Sequence, residues 1–475
     1  EALPASTPPP RYPLPQLAPP GMALNKPRPP EPPPTSLKLD LPESMQQPGG
    51  LFGSPAVPLR MDPVLRSRNY AFEQAPVLET PEDSILAQIA EIESKRSASF
   101  GAGLSLRSRD GREGLDQLDD IEGPLEASFA GIDAGRFTAR VWPVYIEAGT
   151  VRGSNLPLLG QVALIPDVSG RVDQSDKGVA LGLQYEVEDF SIDVGSTPIG
   201  FEVERFVGGV EWKPKLGDWI LGLDISRRSV TDSLLSFAGT EDPRTGAQWG
   251  AITATGARLD VAYDFGNAGV YANGEFHVYD GKNVAKNDEV GGGAGAYLHV
   301  MQKPTQRVTV GVNFTSFFFD DNLRHFTWGH GGYFSPQRYI SFAIPIEWAG
   351  GTRRLSWSLA AALGIQNFHE DAEALFPNDP ALQAAVEEAA EDDPALAAGY
   401  DEQSQTGAGA SLYGQIEYLI SQHLVVGASA AFDNARDYDE TKVLAYVRWY
   451  VGKQAQVSRP PRPVVPFYDF PKRIP

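Results

Sequence analysis

The sequence predicts an all-β protein: a 16-stranded antiparallel transmembrane β-barrel, with a proline-rich N-terminal segment and one short N-terminal helix. Three observations lead there. Segments of strand length alternate apolar and polar residues with period two. Short turns alternate with long loops along the whole series. No run reaches the ~20 apolar residues of a membrane helix, and mean hydropathy is −0.26, as expected of strands whose inward positions are polar.

Residues 1–60 carry PPP and EPPP clusters and few aromatics. Such a segment favours extended polyproline II and buries no core, so it reads as a periplasmic linker or as a docking strand for a periplasmic partner. Residues 61–96 form a connector with a short helix over 80–95. Thr80 can cap it, Pro81 suits its first position, and Ile85, Leu86, Ile89 and Ile92 recur on one face. A helix this short needs a support, and the barrel entrance is the expected one. The opening residues have neither a basic start nor an apolar core, so a signal peptide has been removed or the chain belongs to a longer one.

The barrel is expected over 97–452. Its strands fall near 98–107, 115–130, 136–147, 179–188, 190–197, 206–214, 219–229 and 252–264. The series continues near 268–279, 290–302, 306–318, 337–349, 353–368, 406–420, 423–434 and 441–451. In 306–318, Val308, Val310, Val312 and Phe314 take one face against Thr309, Gly311, Asn313 and Thr315; in 337–349, Ile340, Phe342, Ile344, Ile346 and Trp348 share a face. Turns at 134–136, 215–218, 265–269, 303–306, 350–352 and 421–423 are short, whereas loops near 148–178, 230–251, 280–289, 319–336, 369–405 and 435–440 are long. That asymmetry is the habit of bacterial outer-membrane barrels, and an even strand count puts both termini on the periplasmic side. Trp212, Trp219, Trp348, Tyr418 and Trp449 lie near strand ends on that side, as a girdle facing outer-membrane lipid would. Residues 369–405 hold no Lys or Arg and contain a short acidic helix, read as a solvated lid, a cation binder or a repeller of polyanions. Residues 453–475 form a basic, proline-rich periplasmic tail that either stays disordered or folds into the pore mouth.

A charge of −21 argues against nucleic acid as a partner, and the absence of Cys removes disulfides and thiolate metal sites. Gly329-His330-Gly331-Gly332 resembles an oxyanion loop, but there is no G-x-S-x-G elbow. His325 and His330 sit near Asp320 and Asp321 at a spacing that matches no recurring zinc pattern, and GGGAGA at 291–296 lacks the setting of a nucleotide loop. Neither enzyme nor cofactor nor metal is expected. Inward positions instead mix charges of both signs with aromatics. Arg140, Asp224, Arg258, Glu275, Glu417 and Arg448 alternate with Trp142, Tyr271, Tyr279, Tyr413 and Tyr446. Sugar rings lay CH faces on aromatics and offer hydroxyls to carboxylate and guanidinium groups, so such a wall suits a sliding neutral glycan; the same side chains can equally fill and brace the barrel.

The stretches SKRSASFGAGLSLRSRDGREGLDQL, DNLRHFTWGHGGYFSPQRY and FHEDAEALFPNDPALQAAV closely resemble the C-terminal barrel of the bacterial cellulose synthase operon protein C family. The resemblance runs from about Gln88 to Gly452, and GHGGYFSPQ is its most specific part. It implies a 16-stranded channel that passes a nascent cellulose or related β-1,4-glucan across the outer membrane. It also implies passive export with force from the inner-membrane synthase, and periplasmic and inner-membrane cellulose synthase components as partners. The family's tetratricopeptide array has no counterpart here as a 34-residue period, so it was removed or another chain supplies it. The loop with Phe326, Trp328, His330, Tyr333 and Phe334 is expected to guide the polymer at the external mouth, or else to seal the rim. An exporter of another exopolysaccharide, a general porin, and an anchor that recruits a periplasmic partner are the alternatives.

Overall fold

The computed structural model describes residues 97–469 except 132–134, 163–169, 393–396, 436–437 and 459. The expected linker over 1–60, the connector over 61–96 with its helix, and residues 470–475 of the tail lie outside the described residues.

Sixteen antiparallel strands close on themselves. They are β1 Ser99–Arg109, β2 in two pieces (Leu118–Glu122 and Leu125–Ala130), β3 Arg136–Arg152, β4 Arg171–Val187, β5 Phe190–Ser196, β6 Phe206–Trp212, β7 Trp219–Ser229 and β8 Gln248–Asp264. There follow β9 Ala268–Lys282, β10 Asn287–Lys303, β11 Gln306–Phe319, β12 Arg338–Gly351, β13 Leu355–Glu370, β14 Gln403–Ser421, β15 Leu424–Ala435 and β16 Tyr438–Tyr450. Each pairs with the next, and β1 pairs with β16 from Ser99↔Tyr450 to Arg109↔Glu440, so the sheet has no free edge. Strand two is not continuous as expected: Pro124 has no N–H for the ladder, and its carbonyl instead accepts from Gly103 N at 2.9 Å.

The outward face is an apolar belt. Val308 pairs with Trp348, Val310 with Ile346 and Phe314 with Phe342 across β11 and β12; Phe314, Phe342, Ile346 and Trp348 are exposed and the two valines half-buried, as on a lipid-facing surface. Connections at one end are short. Gly217 and Gly266 adopt positive φ of 65° and 90° in two of these turns, a conformation that costs glycine least. At the other end the strands run on past the ~9–11 residues that cross a bilayer. β3 reaches Arg152 and β4 starts at Arg171, which shortens the loop expected over 148–178. There the outward side chains are in water and may be polar without penalty, so the alternation that marks a strand in lipid fades from the sequence while the ladder continues.

The long connections at that loop end fold into a cap with its own core. It draws Leu156 and Leu158 from the β3–β4 connection, Leu235 from a one-turn helix α1 (Leu234–Phe237), Phe326, Trp328 and Tyr333 from the β11–β12 connection, and Val386 and Ala389 from helix α2 (Pro380–Asp392). α2 starts where the sequence places a starter: Asp379 accepts from Leu382 N at 3.1 Å, and Pro380 occupies the first turn.

Candidate functional site

The inward face is largely polar, and its charges are paired within strands, between neighbours and across an intervening strand. Arg140 Nε donates to Glu126 Oε2 at 3.1 Å, and Arg448 lies 3.3 Å from Glu417 and 3.8 Å from Glu126. The Tyr446 hydroxyl donates to Glu417 at 2.7 Å, so Arg140, Glu417, Tyr446 and Arg448 share one network spanning β2, β3, β14 and β16. Arg258 bonds Asp260 at 2.7 Å and Glu275 at 3.1 Å, and Arg228 grips both oxygens of Asp193 at 2.6 Å. Asp224 accepts from Ser226 Oγ at 2.6 Å. Half-buried ions need such partners, because desolvation otherwise outweighs what they gain.

Several inward aromatics lie along the wall. Tyr446 and Gly427 are register partners, and a Cβ on Gly427 would stand 2.2 Å from the tyrosine ring; Tyr271 covers Gly295 in the same way. Tyr271 donates to Asn313 at 3.0 Å, Tyr279 to Glu289 at 2.8 Å and Tyr413 to Gln415 at 2.7 Å. Tyr271 and Tyr446 fill space left by glycine, and all four hydroxyls are anchored, a bracing arrangement.

Trp142 is placed apart from them, in an apolar cluster inside the barrel with Ala180, Phe201, Val207 and Phe237. The same cluster contains Val464, Phe467 and Tyr468 of the tail. Arg448 Nη2 donates to the Arg462 carbonyl at 2.9 Å and Gln415 Nε2 to that of Pro461 at 3.3 Å. Further on, Ser229 N donates to the Tyr468 carbonyl at 2.7 Å, and Thr231 Oγ1 donates to Asp469 at 2.7 Å. The tail thus starts at the turn end beside Ser97, whose Oγ accepts from Gly452 N at 2.7 Å, and its tip meets the segment that leads into α1. Sequence reasoning missed Glu122, which accepts from Tyr468 of the tail, Arg107, which donates to the Thr231 carbonyl ahead of α1, and Asp120, which pairs with Arg107. Asp120 and Glu122 flank the outward Ile121 in period two, a signal hidden by the Gly123–Pro124 break.

In the cap, Phe326, Trp328, His330 and Tyr333 are buried and Phe334 is half-buried. Trp328 packs on Trp249 at 5.6 Å, Tyr333 stacks on Tyr279 at 5.1 Å, and Phe334 meets Phe368 edge-on at 5.3 Å. The rings of Trp328, Tyr333 and Phe334 are thus packed on aromatics of the strands. Gly329 and Gly332 have φ of 98° and 64°, and a Cβ on Gly329 would stand 2.4 Å from Asn378 Oδ1, which accounts for glycine in this loop. Arg324 Nη1 donates to both oxygens of Glu370, at 2.9 and 2.7 Å, with both side chains buried.

His325 stacks on Tyr400, and His330 Nε2 bonds the Ala374 carbonyl at 2.9 Å. Burial pushes the His330 imidazole down to about 4, and burial followed by the charges of His330 and Arg324 lowers His325 as well. An imidazole in an unfolded chain takes its proton near pH 6.5, so the folded cap binds fewer protons between there and about 4 and loses stability as pH falls through that window. For His330 alone the loss is on the order of 3 kcal/mol below both values. The emission of Trp249 and Trp328 should therefore shift to the red between pH 6.5 and 4, and His330→Gln should flatten that response; a wild-type spectrum constant over the window would refute the coupling.

Residues 116–452 match the family described as cellulose synthase operon protein C C-terminus. The cellulose synthase operon protein C of Xanthomonas axonopodis pv. citri is 39% identical over 319 residues, which cover 64% of this chain and 21% of that protein. That of Pseudomonas fluorescens is 36% identical over 371 residues, 77% of this chain and 28% of the relative, and that of Escherichia coli K12 is 33% identical over 310 residues, 64% and 26%. The chain spans between 21% and 28% of the length of these curated relatives. Among solved structures, a bacterial polysaccharide outer membrane secretin aligns over 74% of this chain and 97% of its own, with 8% identity and a TM-score of 0.44.

Proposed function

Since the chain belongs to the cellulose synthase operon protein C C-terminus family, we propose that its barrel is the outer-membrane channel through which a nascent β-1,4-glucan leaves the cell. The observation that carries this reading is the inward face. Outside the apolar cluster around Trp142 it is polar, yet the arginines named above are tied to carboxylates, so it offers hydroxyl-sized hydrogen-bonding sites without a strong field of either sign. A neutral polyhydroxyl polymer exchanges such contacts at little cost. The barrel performs no chemistry on the chain, and the driving force comes from the inner-membrane synthase. The turn end, with Ser97 and Gly452, faces the periplasm, and the cap faces outward. Tail and cap together hold the resting channel closed. The loop residues Phe326, Trp328, His330, Tyr333 and Phe334 act by sealing the rim and are released when the cap opens.

The test is conductance in planar bilayers. Cello-oligosaccharides should interrupt the current of the purified chain in blockades that lengthen with the oligomer, read on a tail-deleted chain where the wild-type current is small. A steady current that no oligosaccharide interrupts would leave a general porin as the reading.

A further inference from the structure

The ring of Tyr468 has surroundings that suit a sugar. It stacks on Phe237, with centroids 5.4 Å apart and planes at 22°, and meets Trp142 edge-on at 6.2 Å. Phe201 supports the far side of this aromatic group, edge-on to Phe237 at 5.0 Å. The Tyr468 hydroxyl donates to Glu122 Oε1 at 3.2 Å. Glu122 is held ready for that contact: Trp142 Nε1 donates to its other oxygen at 3.2 Å, and Lys442 Nζ lies 3.8 Å from the same atom. Beside it, the buried Asp120 Oδ1 has no hydrogen-bond partner.

A flat ring set against aromatic surfaces, with its hydroxyl on a fixed carboxylate, meets the requirements of a pyranose: apolar CH faces on rings and hydroxyls on acceptors. The carboxylate and the indole belong to β2 and β3, and Phe237 to α1, whereas the ring that occupies them belongs to the tail. The tail is held by discrete side-chain and backbone contacts to the wall, not by a strand ladder of its own. Its PPRPVVP stretch favours polyproline II, which has no internal hydrogen bonds, and its tip is fastened by the contacts to Ser229, Thr231 and Glu122.

We propose that Trp142, Phe237 and Glu122 form a glucosyl-binding subsite inside the barrel, and that Tyr468 occupies it in place of a sugar ring until a β-1,4-linked chain displaces the tail. The proposal rests on the export reading above and adds to it a fixed point of contact and a competitor for that point. The ligand pays no separate opening step once the ring is gone, because apparent affinity scales with the fraction of molecules whose site is free.

The test titrates full-length wild type, Tyr468→Ala, Tyr468→Phe and Tyr468→Ala/Trp142→Ala with cellohexaose, and with α-linked maltohexaose as a control, by calorimetry and by current blockade. Heat-modifiable gel mobility reports whether each barrel has folded. Cellohexaose should bind Tyr468→Ala on the order of tenfold tighter than wild type, Tyr468→Phe should gain less, and Trp142→Ala should abolish the gain. Maltohexaose should show no gain. Equal affinity in wild type and Tyr468→Ala, or a gain that survives Trp142→Ala, overturns the subsite while blockades by cello-oligosaccharides keep the export reading. Neither binding nor blockade in any chain overturns both. If Tyr468→Ala fails to fold, Tyr468→Phe carries the comparison, and an affinity equal to wild type there overturns the subsite.

Discussion

Deleting residues 453–475 should turn a poorly conducting chain into an open pore, with mean current rising on the order of tenfold, because 16-stranded walls enclose an aqueous channel. The tail lies against the inner wall. Val464, Phe467 and Tyr468 pack against Trp142 and Ala180 of the wall and against Phe237 of α1. Its tip also supports the α1 segment, through Ser229 N to the Tyr468 carbonyl and Thr231 to Asp469, so removal loosens both obstacles. The barrel itself should still form, since β16 pairs with β15 and β1 without help from the tail. A folded barrel with unchanged current would assign the barrier to the cap alone.

The second large effect is expected from Arg324→Ala. Arg324 and Glu370 are a buried pair that joins the β11–β12 connection to the end of β13, and Gln403 at the start of β14 also bonds Glu370. Losing the guanidinium leaves a carboxylate buried without its counter-charge, a change that costs about 3–5 kcal/mol. The cost falls on the cap, because the strands below have their own ladders. Limited proteolysis should then cut the 320–336 connection in the variant and spare it in wild type. Arg324→Leu with Glu370→Leu removes both charges and should recover much of the protection. Equal resistance of wild type and Arg324→Ala would show that the apolar cap core alone holds the loop.

The wall was legible in the sequence because lipid and lumen impose opposite demands on successive residues. Val308, Val310 and Phe314 on one side and Thr309, Asn313 and Thr315 on the other lie as their alternation requires, and sixteen strands follow from repeating that argument. Extensions such as Thr150–Arg152 carry no such contrast, so their lengths were underread. The interior was legible only as a list. Trp142, Arg140, Tyr446 and Arg448 all face inward, but period two does not say that Tyr446 lies flat on Gly427 while Trp142 joins a different group. Contacts such as Tyr468 with Glu122 join residues 346 positions apart, and no local pattern encodes them. The loop around His330 was conspicuous by its Gly and aromatic content, yet that content serves close packing within the cap as well as it would serve a polymer surface.

The ion pairs of the inner wall have a mechanical consequence. Arg228 with Asp193, Arg258 with Glu275 and Arg448 with Glu417 are short dipoles lying in the wall, whose fields fade within a few ångströms of it. If the barrel exports a glucan as proposed, the polymer would meet shallow wells one after another, and its drag would be low. The same shallowness would leave the wall unable to rectify, since a chain would slide back as readily as forward. Direction would then have to be imposed at the two ends, by addition of sugars at one and by the emerged polymer's association at the other.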